Sequence, residues 1–267
     1  MRGRIGAPRF RGRAFAVFLL LFSSFCFGLS GAFAATSPEV FRGAVEGSEP
    51  EVKLLRDLVE TLRPESLELV LEGGPDASGS IRRLYLEARG AGQGALRVDA
   101  IRLEALFVKV DLDDGSEGLS VVEAVQGYFE GRVTEKDLND CLLGATLSAG
   151  SAQWRDLRLD LRPGGFSASA RFASGAISAF VEISSRLAIR DRDRLVMEGY
   201  QVSVNNSETD MAQIVEAIEE AQPLLDFRDF PFPVRLRQLK IDDDSLFQST
   251  ATAPTRFEGR TLRYEAR

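Results

Sequence analysis

Leu67, Leu69 and Leu71 alternate with Glu68, Val70 and Glu72, and this period of two returns through most of the chain that follows. An apolar residue at every second position marks a strand with one buried and one wet face. The alternation reappears in Leu84, Leu86 and Ala88, in Leu157, Leu159 and Leu161, and in Phe166, Ala168, Ala170 and Phe172. At least eight segments carry such a face, with turns such as Gly73-Gly74-Pro75-Asp76 and Pro163-Gly164-Gly165 between them. Residues 178–189 and 194–204 read as a hairpin around Asp191-Arg192-Asp193, and Val234 to Ile241 with Leu246 to Ala251 as another. Between Leu96 and Leu112 the phase slips twice. Val98 and Ala100 share one parity, Ile101, Leu103 and Ala105 the next, and Leu106, Val108 and Val110 the third. Such slips predict β-bulges or a tight bend in a long, twisted strand.

Helical periodicity interrupts the strands. Ser48 and Glu51 have capping-box spacing, Leu55, Leu58, Val59 and Leu62 form one stripe, and Pro64 stops it. Thr134 and Asp137 open a second helix that runs to about Leu143. Ser207 and Asp210 precede a third, with Met211, Ile214, Val215 and Ile218 on one side and Pro223 at its end. Val121, Val122, Val125 and Phe129 predict a further short helix. Runs of strands split by single helices predict an α+β fold: a curved, mostly antiparallel sheet with about three amphipathic helices packed on its apolar face. One domain would span residues 36–252, and the charged residues 253–267 would form a loose tail.

The first 35 residues read as an export signal. Five arginines, from Arg2 to Arg13, lead into the apolar run Ala14 to Phe22, and Ala32-Phe33-Ala34 offers a small-residue cleavage site. The competing reading is an uncleaved anchor, weakened by Ser23, Ser24, Gly28, Ser30 and Gly31. Removal of those 35 residues takes five of the 33 basic residues and no acid, leaving 28 against 40, a net charge of −12. Such a surface repels nucleic acid. The location expected is the periplasm or another extracytoplasmic part of the cell envelope.

The absence of histidine excludes His-based nucleophilic, general-base and metal chemistry. Cys141 is the one cysteine beyond the leader, in an acidic context that suits a buried small hydrophobe. Asp111-Leu112-Asp113-Asp114-Gly115 lacks EF-hand spacing, and Asp242-Asp243-Asp244 reads as a turn. Asn205-Asn206-Ser207 fits a glycosylation sequon, but Ser207 is better used as a helix cap. No phosphate-binding glycine loop is present, and the carboxylates fall on outer faces or in turns. Neither a catalytic residue, a cofactor nor a metal is expected, and the hydrolase reading finds no paired inward carboxylates.

Three narrow helical stripes face eight or more apolar strand segments. That surplus leaves room for an acyl chain, unless the sheet folds onto itself around a dry core. Phe227, Phe230 and Phe232, held extended by Pro231 and Pro233, either plug the end of the core or touch a bilayer, with Arg228, Arg235 and Arg237 alongside.

The order of motifs resembles the LmeA-like family of exported bacterial phospholipid-binding proteins. The likeness is carried by Gly131-Arg132-Val133-Thr134-Glu135-Lys136-Asp137-Leu138-Asn139 and by Pro231-Phe232-Pro233-Val234-Arg235-Leu236 with Leu239-Lys240-Ile241-Asp242. Ala100-Ile101-Arg102-Leu103 to Val110-Asp111-Leu112 adds to it, and the whole spans residues 40–252. The resemblance implies a phospholipid-binding envelope protein and supplies no catalytic residue. The leading expectation is therefore a non-catalytic protein that holds a phospholipid or other acyl-chain ligand in an apolar groove, with peripheral membrane contact. Groove or membrane contact is assigned to Leu103, Val108, Val110, Leu157, Leu159, Ile214, Ile218, Phe227, Phe230 and Phe232. The alternative is a structural or interaction module of an envelope assembly with a filled core.

Overall fold

The computed structural model describes residues 37–93, 96–111, 121–149, 152–175, 177–205, 211–220, 222–230 and 232–267. The Ala35–Arg267 unit is compact in its own right and contains both cores described below. The fold is α+β, but the strands divide between two sheets where one was expected. A sheet of more than about ten twisted strands tends to split.

The larger sheet has eight strands, in the order β1 (Glu39–Arg42), β14 (Arg260–Glu265), β2 (Ser66–Glu72), β3 (Ser80–Gln93), β4 (Leu96–Val110), β5 (Val121–Thr134), β13 (Ser245–Thr250) and β12 (Leu236–Ile241). Among the described residues of this sheet only the β1–β14 pair is parallel. The smaller sheet has six antiparallel strands: β11 (Leu225–Asp226), β10 (Arg194–Val204), β9 (Ile177–Arg190), β8 (Gly165–Ser174), β7 (Ala152–Arg162) and β6 (Leu147–Ala149).

Each sheet has its own core. The first gathers Val52, Leu54, Leu55 and Leu58 of α1 (Pro50–Leu62) with inward residues of β2 to β5, among them Leu69, Leu84, Leu103, Val108 and Phe129. The second gathers Ile214, Ala217 and Ile218 of α3 (Met211–Glu220) with Leu161, Phe172, Val181 and Leu195 of the smaller sheet. Ile241 and Leu246, from the β12–β13 hairpin, join the second core and tie the two sheets together.

The two phase slips in β4 are present, but neither shifts the register with β3, so they are not bulges there. Both strands change face together. Inward positions pass from Ile81 to Leu84 and from Ala88 to Ala91 on β3, and from Val98 to Leu103 and from Ala105 to Val108 on β4. At the levels of the two changes stand residues with left-handed backbone, Gly90 (φ 60°) and Phe107 (φ 52°). The left-handed backbone at Gly90 favours glycine, and a Cβ there would also lie 2.4 Å from the Glu65 carboxyl carbon and displace that side chain.

Several expectations are corrected. Val121 to Phe129 lies in β5, because full pairing with β4 satisfies its backbone and overrides the helix-like spacing of its valines. Helix α1 begins at Pro50 with Glu49 at its cap, and the Ser48 amide instead donates to the Glu49 carboxylate. Residues 253–267 are no loose tail. Strand β14 sits between β1 and β2, burying Leu262 and Tyr264 in the first core. The segment before it straps the outer face of the larger sheet: the Thr255 amide donates to Glu104 Oε2 at 2.8 Å, and the Arg83 guanidinium lies 4.3 Å from the Phe257 ring centroid. The charges of Arg260, Arg263 and Glu265 mask an alternation that Leu262 and Tyr264 carry. The third helix's cap, Ser207 and Asp210, and most of the Asp111–Gly115 turn lie outside the described residues.

Candidate functional site: an apolar cavity on the smaller sheet

Two bulges shape the inner face of the smaller sheet. On β7 the register with β8 shifts between Arg155 and Arg158, with Asp156 in the left-handed region (φ 54°). The extra residue moves the inward face from Trp154 to Leu157, Leu159 and Leu161. On β10 the register with β9 shifts between Glu198 and Gln201, with Gly199 at φ 64°. On β8 the inward residues are large at the ends, Phe166 and Phe172, and small between them, Ala168 and Ala170.

Helix α2 (Glu135–Leu142) is clamped to β7 by side chains that do the work of a missing strand. Strand β6 reaches only as far as Trp154. Beyond it, the Leu159 amide donates to Asn139 Oδ1, Asn139 Nδ2 donates to the Leu159 carbonyl, both at 2.8 Å, and the Leu161 amide donates to Glu135 Oε2 at 2.7 Å. At the base of the helix, Thr134 Oγ1 accepts from the Asp137 amide as expected. Buried Asp137 accepts two bonds of 3.2 Å from Arg97, whose guanidinium also reaches Glu65.

Between the sheet, α2 and α3 lies a cavity of about 390 Å³, within the roughly 300–1,000 Å³ of small-molecule sites. Its walls are Trp154, Leu157, Leu159 and Leu161 of β7, Phe166, Ala168 and Ala170 of β8, Ile183 and Leu187 of β9, and Leu195 and Met197 of β10. Leu138, Cys141 and Leu142 of α2, Ala217, Ile218 and Glu220 of α3, and Leu224 and Leu225 close it. The larger sheet adds Leu96, Val133 and Leu246. Among the described residues of this lining Glu220 is the one that carries a charge, and it is exposed.

Leu157, Leu159 and Ile218 thus come together in the cavity, while Ile214 belongs to the same core without reaching the lining. Leu103, Val108 and Val110 do not join them; they are buried in the first core under α1. Phe227, Phe230 and Phe232 are also elsewhere. Phe227 and Phe230 close over Phe129 and Phe232 stacks on Phe230, with ring centroids 5.5 to 6.0 Å apart, so the loop packs on the first core. The α2 face and the β8 alanines were not assigned from sequence. The spacing of Leu138, Cys141 and Leu142, and the two small residues between Phe166 and Phe172, carried that signal.

The family model for LmeA-like phospholipid-binding proteins matches residues 42–250. The chain belongs to the LmeA-like family. No curated protein and no solved structure matches it. The family is one of phospholipid-binding proteins, and the cavity is walled by leucine, phenylalanine and alanine side chains. In this LmeA-like chain the matched residues include every residue of the cavity lining.

Proposed function

We propose that this protein is an exported, non-catalytic phospholipid-binding protein of the bacterial cell envelope, and that it holds acyl chains in the cavity between the smaller sheet, α2 and α3. The observation that carries the reading is the cavity itself: roughly twenty apolar side chains converge on a space that no side chain of the described residues fills. Burial of each methylene contributes about 0.8 kcal/mol. Ten methylenes would then supply about 8 kcal/mol against association costs of about 4–15 kcal/mol. Stable retention therefore needs most of a long tail inside, with the headgroup left near water. The arginine-rich, apolar, small-residue leader supports export, and the lining, with one exposed carboxylate and one thiol, supports holding without chemistry. The alternative of a module with a filled core fits the first core, under α1, but leaves the second unexplained.

The test uses the Ala35–Arg267 unit, in which Cys141 is the sole thiol and lines the cavity. Incubation with phosphatidylcholine vesicles should yield a lipid adduct in native mass spectrometry and slow maleimide labelling of Cys141 by at least about tenfold. A protein that carries no lipid and takes none from vesicles overturns the reading.

A further inference from the structure

The cavity lining does not stop at the surface. Leu142 lines it at the end of α2, and the next residue, Leu143, is 83% exposed. Leu224 lines it beyond α3 and is itself 39% exposed. Neither leucine sits on a slack segment. The Leu224 amide donates to the Leu195 carbonyl at 2.9 Å, and beside it Gln222 Oε1 accepts from the Met197 amide at 2.9 Å. The turn after Leu143 is closed by the Ala145 amide on the Leu142 carbonyl at 3.1 Å, and α2 is anchored through Asn139. Two large apolar side chains are thus held outward at the edge of the cavity, where hydration opposes them.

From this geometry we infer that the rim carrying Leu143 and Leu224 is the face by which the protein settles on a phospholipid bilayer, so that a tail passes from bilayer to cavity along a continuous apolar path. The inference rests on the lipid-holding reading above. The rim's charge defines the surface it fits. Glu216 and Glu220 of α3 form no ion pair among the described residues, and Glu220 stands on the cavity lining. Lys136 is already paired with Asp140, and Glu219 accepts from the Tyr200 hydroxyl at 2.7 Å. Glu220, on the same lining as Leu224, and Glu216 one turn before it on α3 disfavour an anionic lipid surface and suit one of zwitterionic headgroups.

The test is flotation of the Ala35–Arg267 unit with phosphatidylcholine vesicles, and with the same vesicles doped with phosphatidylglycerol. Binding of a short-chain, water-soluble phosphatidylcholine is measured in parallel. The wild type should float with the zwitterionic vesicles and less with the doped ones, the difference shrinking in Glu216→Gln/Glu220→Gln. Leu143→Glu and Leu224→Glu should each cut flotation at least about tenfold, and in Leu143→Glu, whose side chain lies outside the cavity lining, short-chain binding should stay within about twofold. Phe107→Glu, which alters an exposed residue on the larger sheet, should float like the wild type. Leu143→Asn repeats the test with no added charge. Flotation unchanged in both leucine variants, loss of flotation in Phe107→Glu alone, or a wild-type preference for doped vesicles overturns the inference. If short-chain lipid fails to bind the wild type, the lipid-holding reading fails instead, whatever the vesicles show.

Discussion

Between Phe166 and Phe172 the inward side of β8 offers only the methyl groups of Ala168 and Ala170, both buried, and that missing bulk gives the cavity its depth. Ala170→Leu would fill it from within. A cavity-filling change is neutral or stabilising when it fits, so the melting temperature should hold or rise while displacement of a fluorescent fatty acid shows affinity down by about tenfold, roughly 1.4 kcal/mol. A different residue-scale effect acts at Tyr85, on the outer face of the larger sheet. Burial, with a hydrogen bond of 3.0 Å donated to Glu87, pushes its hydroxyl up to about 12 from an ordinary 10. The folded state keeps the proton that the unfolded state releases. The contribution is therefore constant below pH 10 and is lost as pH rises from about 10 to 12. An ultraviolet phenolate titration should show a late ionisation, coincident with alkaline unfolding, that Tyr85→Phe removes; a titration that Tyr85→Phe leaves unchanged would refute this.

Among the elements, α2 repays attention because its side chains complete the edge of β7. Asn139→Ala removes both bonds to Leu159. At about 1 kcal/mol each, the loss should be near 2 kcal/mol, read as a lower urea midpoint with an unchanged slope; a midpoint that does not move would show that water replaces the amide without cost. At this scale much was legible in advance. Period-two alternation located nearly all the long strands, and the cap at Thr134 located α2. What alternation does not encode is which sheet a strand joins. Leu103 and Leu159 have the same local pattern, yet one lies under α1 and the other faces the cavity. That allocation is decided by pairings far apart in sequence. For the same reason Val121 to Phe129 read as a helix until β4 was placed beside it, and the aromatic run from Phe227 to Phe232 showed its partner only once Phe129 lay beneath it.

For the molecule as a whole, the strap from 253 to 259 fastens the outer face of the larger sheet. Glu104, 4% exposed, holds Arg83 with bonds of 2.8 Å and receives the Thr255 amide. Glu104→Ala leaves a partly buried guanidinium and an amide without their acceptor. It should cost about 2–3 kcal/mol and speed hydrogen exchange at the Thr255 amide; protection unchanged at that amide would show that the strap is held by its other contacts, Phe257 on Arg83 and Arg256 on Glu68. Beneath the strap, Val70 and Tyr85 are buried on a side of the sheet that antiparallel sheets often leave wet.

Strand β14 lies between β1 and β2, partners nearly two hundred residues or more earlier in the chain. Pairings that span so much sequence form late, since the loop they close must lose its freedom before any bond is gained. Until Leu262 reaches its slot beside Leu69, β2 has one open edge and β1 has no sheet to join. The longest-range pairing is therefore the step expected to come last in assembly, and until it forms the half-finished sheet offers an edge to a wrong neighbour.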